Sequence, residues 1–237
     1  MRLTVIGCSG SVPGPDAACS CYLVEQDGYR LLLEAGTGAA GPLQRHVAAA
    51  DLDAVIVSHG DEDHCGDLKH LGYLRTLPDS YRPLPLVGAS DLPAAVWRNP
   101  DVFQATAAQS GPRAMGPFTL QLSHVDHGRE CWATRIGDEL CFTADTRPCA
   151  ALDDLAQGCA VLLAEASGLD GDAGIGAHLT AGDAGRLAAR AGTRLLVLTH
   201  LRPWQDHAAL LDQAAAVAGC PVLLARPGLR VRLPDPR

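Results

Sequence analysis

The 237-residue chain is long enough to bury a sizeable core, and 47% hydrophobic against 19% charged residues excludes a disordered chain. No apolar run approaches the ~20 residues that span a bilayer. A net charge of −8, dispersed arginines and a single lysine, Lys69, argue against an extended nucleic-acid surface, because phosphate binding needs clustered cations.

The opening Met1-Arg2-Leu3-Thr4-Val5-Ile6-Gly7 reads as a strand from its start, not as a signal-peptide core, so cytoplasmic residence is expected. Gly7 to Pro15 is a Gly/Ser/Pro loop. Its backbone N–H groups could face an anion, or it could simply connect; it lacks the ending of a phosphate-binding P-loop. Residues 20–25 and 29–34 read as strands joined at Asp27-Gly28. A helix is expected over 39–48, a buried strand at 54–57 and a helix over 67–77. His46 and His70 lie in these helices and read as packing or surface residues.

Residues 78–117 are rich in Pro and Ala, with a strand near 84–87 and helices expected around 91–97 and 101–109. Strand signals return at 118–124, 131–136 and 139–143. A helix (150–157), a strand (160–164) and a Gly-rich loop (168–176) follow. Thr180 is a predicted N-cap for a helix over 181–191, with Asp183 completing a capping box. A strand at 195–198, a helix over 206–218 and two short strands end the chain. Strands running into helices twice over, with no linker composition and no repeat, suggest two packed sheets with outer helices in one domain, residues 1–237.

Chemistry concentrates at strand ends. Ser58-His59-Gly60-Asp61-Glu62-Asp63-His64 places two histidines and two aspartates directly after the apolar run Ala54 to Val57. Imidazole nitrogen and carboxylate oxygen are metal ligands, and a rigid strand end can aim them; the rival reading is a solvated acidic turn. His127, Asp145 and His200 also follow strand segments, and His178 precedes a helix. Polar strand ends gathered on one rim would make a metal pocket. Nine cysteines, odd in number and scattered, read as small buried hydrophobes in a reducing compartment, with Cys65 nearest the chemistry.

Five segments carry a resemblance: Gly7-Cys8-Ser9-Gly10-Ser11, Ser58-His59-x-x-x-Asp63-His64-Cys65-x-Asp67, Thr143-x-Asp145-Thr146-Arg147-Pro148-Cys149, Glu165-Ala166-Ser167, and His178-Leu179-Thr180 through Leu198-Thr199-His200. Over nearly its whole length the chain resembles metallo-β-lactamase-fold hydrolases. The branch is that of tRNA 3′-processing endonuclease-like and cyclic-nucleotide phosphodiesterase-like proteins, small actinobacterial members above all. The resemblance implies an α/β (α+β) fold, a four-layer αββα sandwich of two mixed sheets flanked by helices. It implies two divalent ions, zinc first, with manganese or iron compatible. His59, Asp61 and His127 would hold one ion, Asp63, His64 and His200 the second, and Asp145 would bridge them. His127 is preferred to His124 because its spacing to Arg135-Ile136 matches the family. Asp63 and His178 take catalytic roles: Asp63 orients a hydroxide shared by metals ~3.5–4 Å apart, and His178 contacts the phosphate and assists the leaving group.

The implied activity is metal-dependent hydrolysis of a small phosphodiester such as a cyclic nucleotide. A homodimer is compatible with the resemblance. The chain departs from the family at Asp61, where a second histidine is usual, at Gly60 and Glu62, and at Ala144, where glycine commonly precedes the bridging Asp. A carboxylate at 61 should shift preference from zinc toward harder-ligand metals. It also keeps open a weakened or inactive binding or regulatory protein, or a single-metal enzyme. Two further alternatives are a tRNA-processing endonuclease and a lactonase. The first is disfavoured because such enzymes carry a substrate arm between the matches to His127 and Asp145, where only seventeen residues lie here. The second is disfavoured by the His178-Leu179-Thr180 match.

Overall fold

A computed structural model describes residues 1–77 and 81–233. By its internal contacts the chain divides into two compact units: Met1–Ala108 with Arg226–Val231, and Gln109–Ala225 with the residues from Arg232.

The first unit is built on a seven-stranded sheet. Its strands are β1 (Arg2–Gly7), β2 (Cys21–Gln26), β3 (Tyr29–Leu33), β4 (Ala54–Val57), β5 (Leu84–Gly88) and β6 (Phe103–Ala107), with β14 (Arg230–Arg232) beyond β1 at the edge. β1 to β3 form an antiparallel meander turning at Asp27-Gly28; β3 to β6 run parallel. Parallel strands covered on both faces read as continuous apolar runs, and β4 (Ala-Val-Ile-Val) is buried throughout. The helices are α1 (Ala40–Leu43), α2 (Glu62–Cys65), α3 (Leu68–Thr76) and α4 (Ala94–Trp97). Arg75 of α3 is wholly buried and donates to the carbonyls of Arg82, Ala49 and Leu52 at 2.8, 2.8 and 3.0 Å, tying the helix to the segments before β5 and β4.

The second unit holds another seven-stranded sheet, ordered β13-β12-β11-β10-β9-β8-β7. The antiparallel part is β7 (Gly111–Met115), β8 (Phe118–His124), β9 (Trp132–Ile136) and β10 (Leu140–Phe142). The parallel part continues through β11 (Val161–Glu165), β12 (Leu195–Thr199) and β13 (Val222–Leu224). α5 (Ala150–Ala156), α6 (Ala181–Ala191) and α7 (His207–Ala218) cover it. The box predicted for α6 forms in full: Thr180 Oγ1 accepts from Asp183 N, and the Asp183 carboxylate accepts from Thr180 N. Both sheets are mixed and flanked by helices.

Two expectations need correction, and one strand went unpredicted. The helix expected over 101–109 is the strand β6, pairing parallel to β5; alanine-rich composition suggested a helix, but an open sheet edge overrides propensity. β7 was not foreseen, because Gly111 and Pro112 disguise an edge strand that tolerates proline. The helix over 39–48 shrinks to α1, with turns following it.

Candidate functional site

In the first unit the chemistry lies beyond the carboxyl ends of β3 and β4, where open parallel sheets place ligands. His59 and His64 are buried, with ring centroids 4.1 Å apart. His59 Nδ1 is hydrogen-bonded with Ser58 Oγ at 2.8 Å, and its Nε2 lies 3.4 Å from Asp61 Oδ2. Asp61 occupies the N-cap position of α2, yet its side chain makes no capping bond; the carboxylate turns to His59 instead. Gly60 has a steric cause, since a Cβ there would come within 2.5 Å of Asp91 O.

Asp63 answers the question left by the Gly/Ser loop. The N–H of Ser11, at φ +65°, donates to Asp63 Oδ2 at 2.7 Å, so the anion at that loop is the protein's own carboxylate. The backbone behind it is fixed by Gly36, where any Cβ would sit 2.0 Å from Asp63 O. His64 Nε2 lies 3.7 Å from Asp63 Oδ2, and its Nδ1 lies 3.6 Å from Glu34 Oε2. Glu34 is buried, adopts φ +63° and accepts from Ser58 N at 3.1 Å.

The second unit holds a denser group. Asp145, Glu165, His178 and His200 each offer a donor atom within 4.8 Å of the others, a set able to hold a metal ion. Asp145 Oδ2 is 3.3 Å from His200 Nε2, 3.6 Å from His178 Nδ1 and 4.0 Å from His127 Nε2. Ala144, before it, is held at φ +52°, where an L-residue is strained and glycine is at ease. His124, at the end of β8, instead packs edge-on against Trp132 of β9. His70 pairs with Asp67 at 3.0 Å, and His46 lies in neither group.

Hydrogen-bond accounting fixes the tautomers. His127 Nδ1 faces Ala177 O at 2.9 Å; a carbonyl only accepts, so Nδ1 carries a proton and, in the neutral ring, Nε2 presents a lone pair. Ser167 Oγ donates to Glu165 Oε2 at 2.9 Å, so the 2.9 Å bond between Ser167 Oγ and His200 Nδ1 must be donated by the imidazole. In the neutral ring His200 Nε2 is then also a lone pair, on the side that faces Asp145. Ring nitrogens held this way on one side and directed at a carboxylate on the other are the arrangement of metal-ligating histidines. Two buried carboxylates, Asp145 and Glu165, also call for positive charge. The donor set fits a divalent ion.

His178 differs. Its Nδ1 donates to Glu165 Oε2 at 2.8 Å, which leaves Nε2 as the site of an exchangeable proton. Burial and the nearby Arg202 charge lower its pKa, but the Glu165 bond and the charges of Glu165 and Asp145 outweigh them, so the pKa is raised. Glu165 is saturated by Thr146 N at 2.5 Å, Ser167 and His178. Cys65 is buried and its thiol is pushed up to about 12 by burial foremost, with Glu62 and Glu34 adding to it, which removes it as a thiolate.

Sequence reasoning assigned no role to Glu34 or to the Glu165–Ser167 pair. Their signal was present: each glutamate closes an apolar strand run, and a charge at such a place is buried only if it has partners.

A family model, the metallo-β-lactamase superfamily, matches residues 14–147, more than half of the chain. The chain belongs to the metallo-β-lactamase superfamily. Across 94% of its length it is 35% identical to the uncharacterised protein Rv1339 of Mycobacterium tuberculosis, covering 88% of that chain. It is 30% identical to the probable metallo-hydrolase YhfI of Bacillus subtilis, over 96% of this chain and 98% of that one. The crystal structure of YhfI superposes with a TM-score of 0.91 over 97% and 98% of the two chains. A ribonuclease Z of Streptomyces avermitilis is 28% identical, over 84% of this chain and 86% of its own. The superfamily's coarse chemistry, that of a metallo-hydrolase, comes with this membership.

Proposed function

We propose that the protein is a metal-dependent phosphodiesterase acting on a small phosphodiester such as a cyclic nucleotide, with His59, Asp61, Asp63, His64, His127, Asp145 and His200 as the ligands for two divalent ions. The observation that carries the reading is the Glu165–His178 pair beside Asp145: a histidine with a raised pKa and its Nε2 proton available suits an oxyanion leaving group. Bound divalent ions would polarise the phosphoryl oxygen and acidify water at neutral pH. The remaining work falls to the chain. Asp63, steadied by the Ser11 N–H, accepts from and orients the attacking water. His178 gives its Nε2 proton to the departing oxygen, and Glu165 stabilises the cationic ring until then. Ser167 and Ala177 keep His200 and His127 in the tautomers a metal needs.

Similarity to a ribonuclease Z supports phosphodiester chemistry. The small-substrate part is supported by the chain between His127 and Asp145, which holds only β9, β10 and the tight turn at Gly137 between them, leaving no projecting arm. Metal analysis of the purified protein, with turnover of bis-p-nitrophenyl phosphate and cyclic AMP, tests the reading. Metal content with turnover of both is the expected result. An enzyme without metal that stays inert after addition of zinc or manganese would overturn it.

A further inference from the structure

The loop that leaves His200 carries two side chains that the proposed chemistry has not used. Arg202 stands two residues after His200, whose ring stacks on His178 with centroids 5.4 Å apart. The loop backbone is fixed, because Arg202 O accepts from Gln205 N at 3.0 Å and from His207 Nε2 at 2.9 Å. The Arg202 side chain is half-buried, its Nε is shielded from solvent without a hydrogen-bond partner, and no carboxylate among the described residues pairs with its guanidinium. By contrast, Arg2, Arg82, Arg135, Arg147, Arg186 and Arg190 all hold carboxylates. A cation placed beside a histidine, desolvated at Nε and unneutralised, is poised for an anion that the chain does not supply. Two residues on, Trp204 exposes 62% of its surface, a large indole face on the same loop.

We propose that the loop Leu201–Gln205 is a nucleotide-recognition element: Arg202 clamps a non-bridging oxygen of the substrate phosphate, and Trp204 stacks on the base or other aromatic group esterified to it. The guanidinium fork matches two phosphate oxygens and would hold the phosphorus with its leaving oxygen toward His178. An indole offers a stacking face for any base. The choice of a phosphate ligand rests on the phosphodiesterase reading; the binding site does not depend on turnover.

The test uses 5′-AMP and inorganic phosphate as probes, with affinities from calorimetry on the metal-loaded protein and metal content assayed for every variant. Arg202→Gln should weaken both probes by about 10–100-fold at unchanged metal content, the loss expected of a charge-assisted bond. Arg202→Lys should recover part of that loss. Trp204→Ala should weaken 5′-AMP by about 5–100-fold and leave inorganic phosphate unaffected. Wild-type affinity for both probes in Arg202→Gln overturns the clamp. So does a loss of affinity that follows a loss of metal, which would make Arg202 a support for His200. Equal 5′-AMP affinity in Trp204→Ala overturns the stacking half. A protein that binds 5′-AMP through Arg202 yet hydrolyses no phosphodiester would sink the catalytic reading and leave this one standing.

Discussion

Asp61 shows how much can hang on one side chain. An aspartate at an N-cap would ordinarily bond to the first turn of its helix, and this one leaves that turn to face His59 at 3.4 Å. If it is a metal ligand, Asp61→His supplies a softer, neutral donor and should raise zinc content measured per protein by mass spectrometry. Equal zinc in both proteins would remove Asp61 from the ligand set. His178 makes the complementary case. His178→Ala should retain the wild-type metal content and lose about 10²–10⁴-fold in kcat, the usual loss for a general acid. A fall in metal content together with rate would instead make His178 a ligand.

At the scale of elements, the site depends on how helix starts and strand ends are anchored. The loop before α6 carries His178, and it is tied down by Asp170, which accepts from Thr180 Oγ1 and, at 2.8 Å, from Arg186 Nη1. These bonds, Arg186 first, hold the Asp170 carboxyl below its usual pKa. The sign follows: a carboxyl lowered on folding stabilises the protein above its unfolded pKa, and that contribution disappears as pH falls through the folded one. Asp170→Asn should therefore cost about 0.2–1 kcal/mol in urea unfolding at pH 7, because the pair is exposed, and the gap to wild type should be narrower at pH 3. A constant gap between the two pH values would show that charge is not the source. Arg75 on α3 is a heavier anchor. Arg75→Met leaves the carbonyls of Ala49, Leu52 and Arg82 without their donor and should cost about 2–4 kcal/mol by the same measurement.

Across the whole molecule, burial sets the reactivity of the nine cysteines. Only Cys149 and Cys220 are partly exposed, and no disulfide forms among the described residues. Burial pushes Cys8 and Cys65 up to about 12. Native protein should titrate at most two thiols with a disulfide reagent, and the urea-unfolded chain all nine; rapid native labelling at Cys65 would contradict the burial described here. No helix of the described residues is long and apolar enough to cross a membrane.

The sequence by itself determined most of the elements, because buried parallel strands read as apolar runs and the α6 box is written in Thr180 and Asp183. It also marked the family through motifs whose spacing is local, such as Ser58 to Asp67. β6 and β7 escaped it, since an edge strand of alanine, glycine or proline takes its conformation from the neighbour it pairs with. Only the tertiary structure decided what surrounds each functional group. Ser11 meets Asp63 across 52 positions, Glu34 meets Ser58 across 24, and Ser167 meets His200 across 33. Such pairings set tautomer, charge and aim, and chain folding makes them between residues whose own neighbours in sequence carry no trace of the partner.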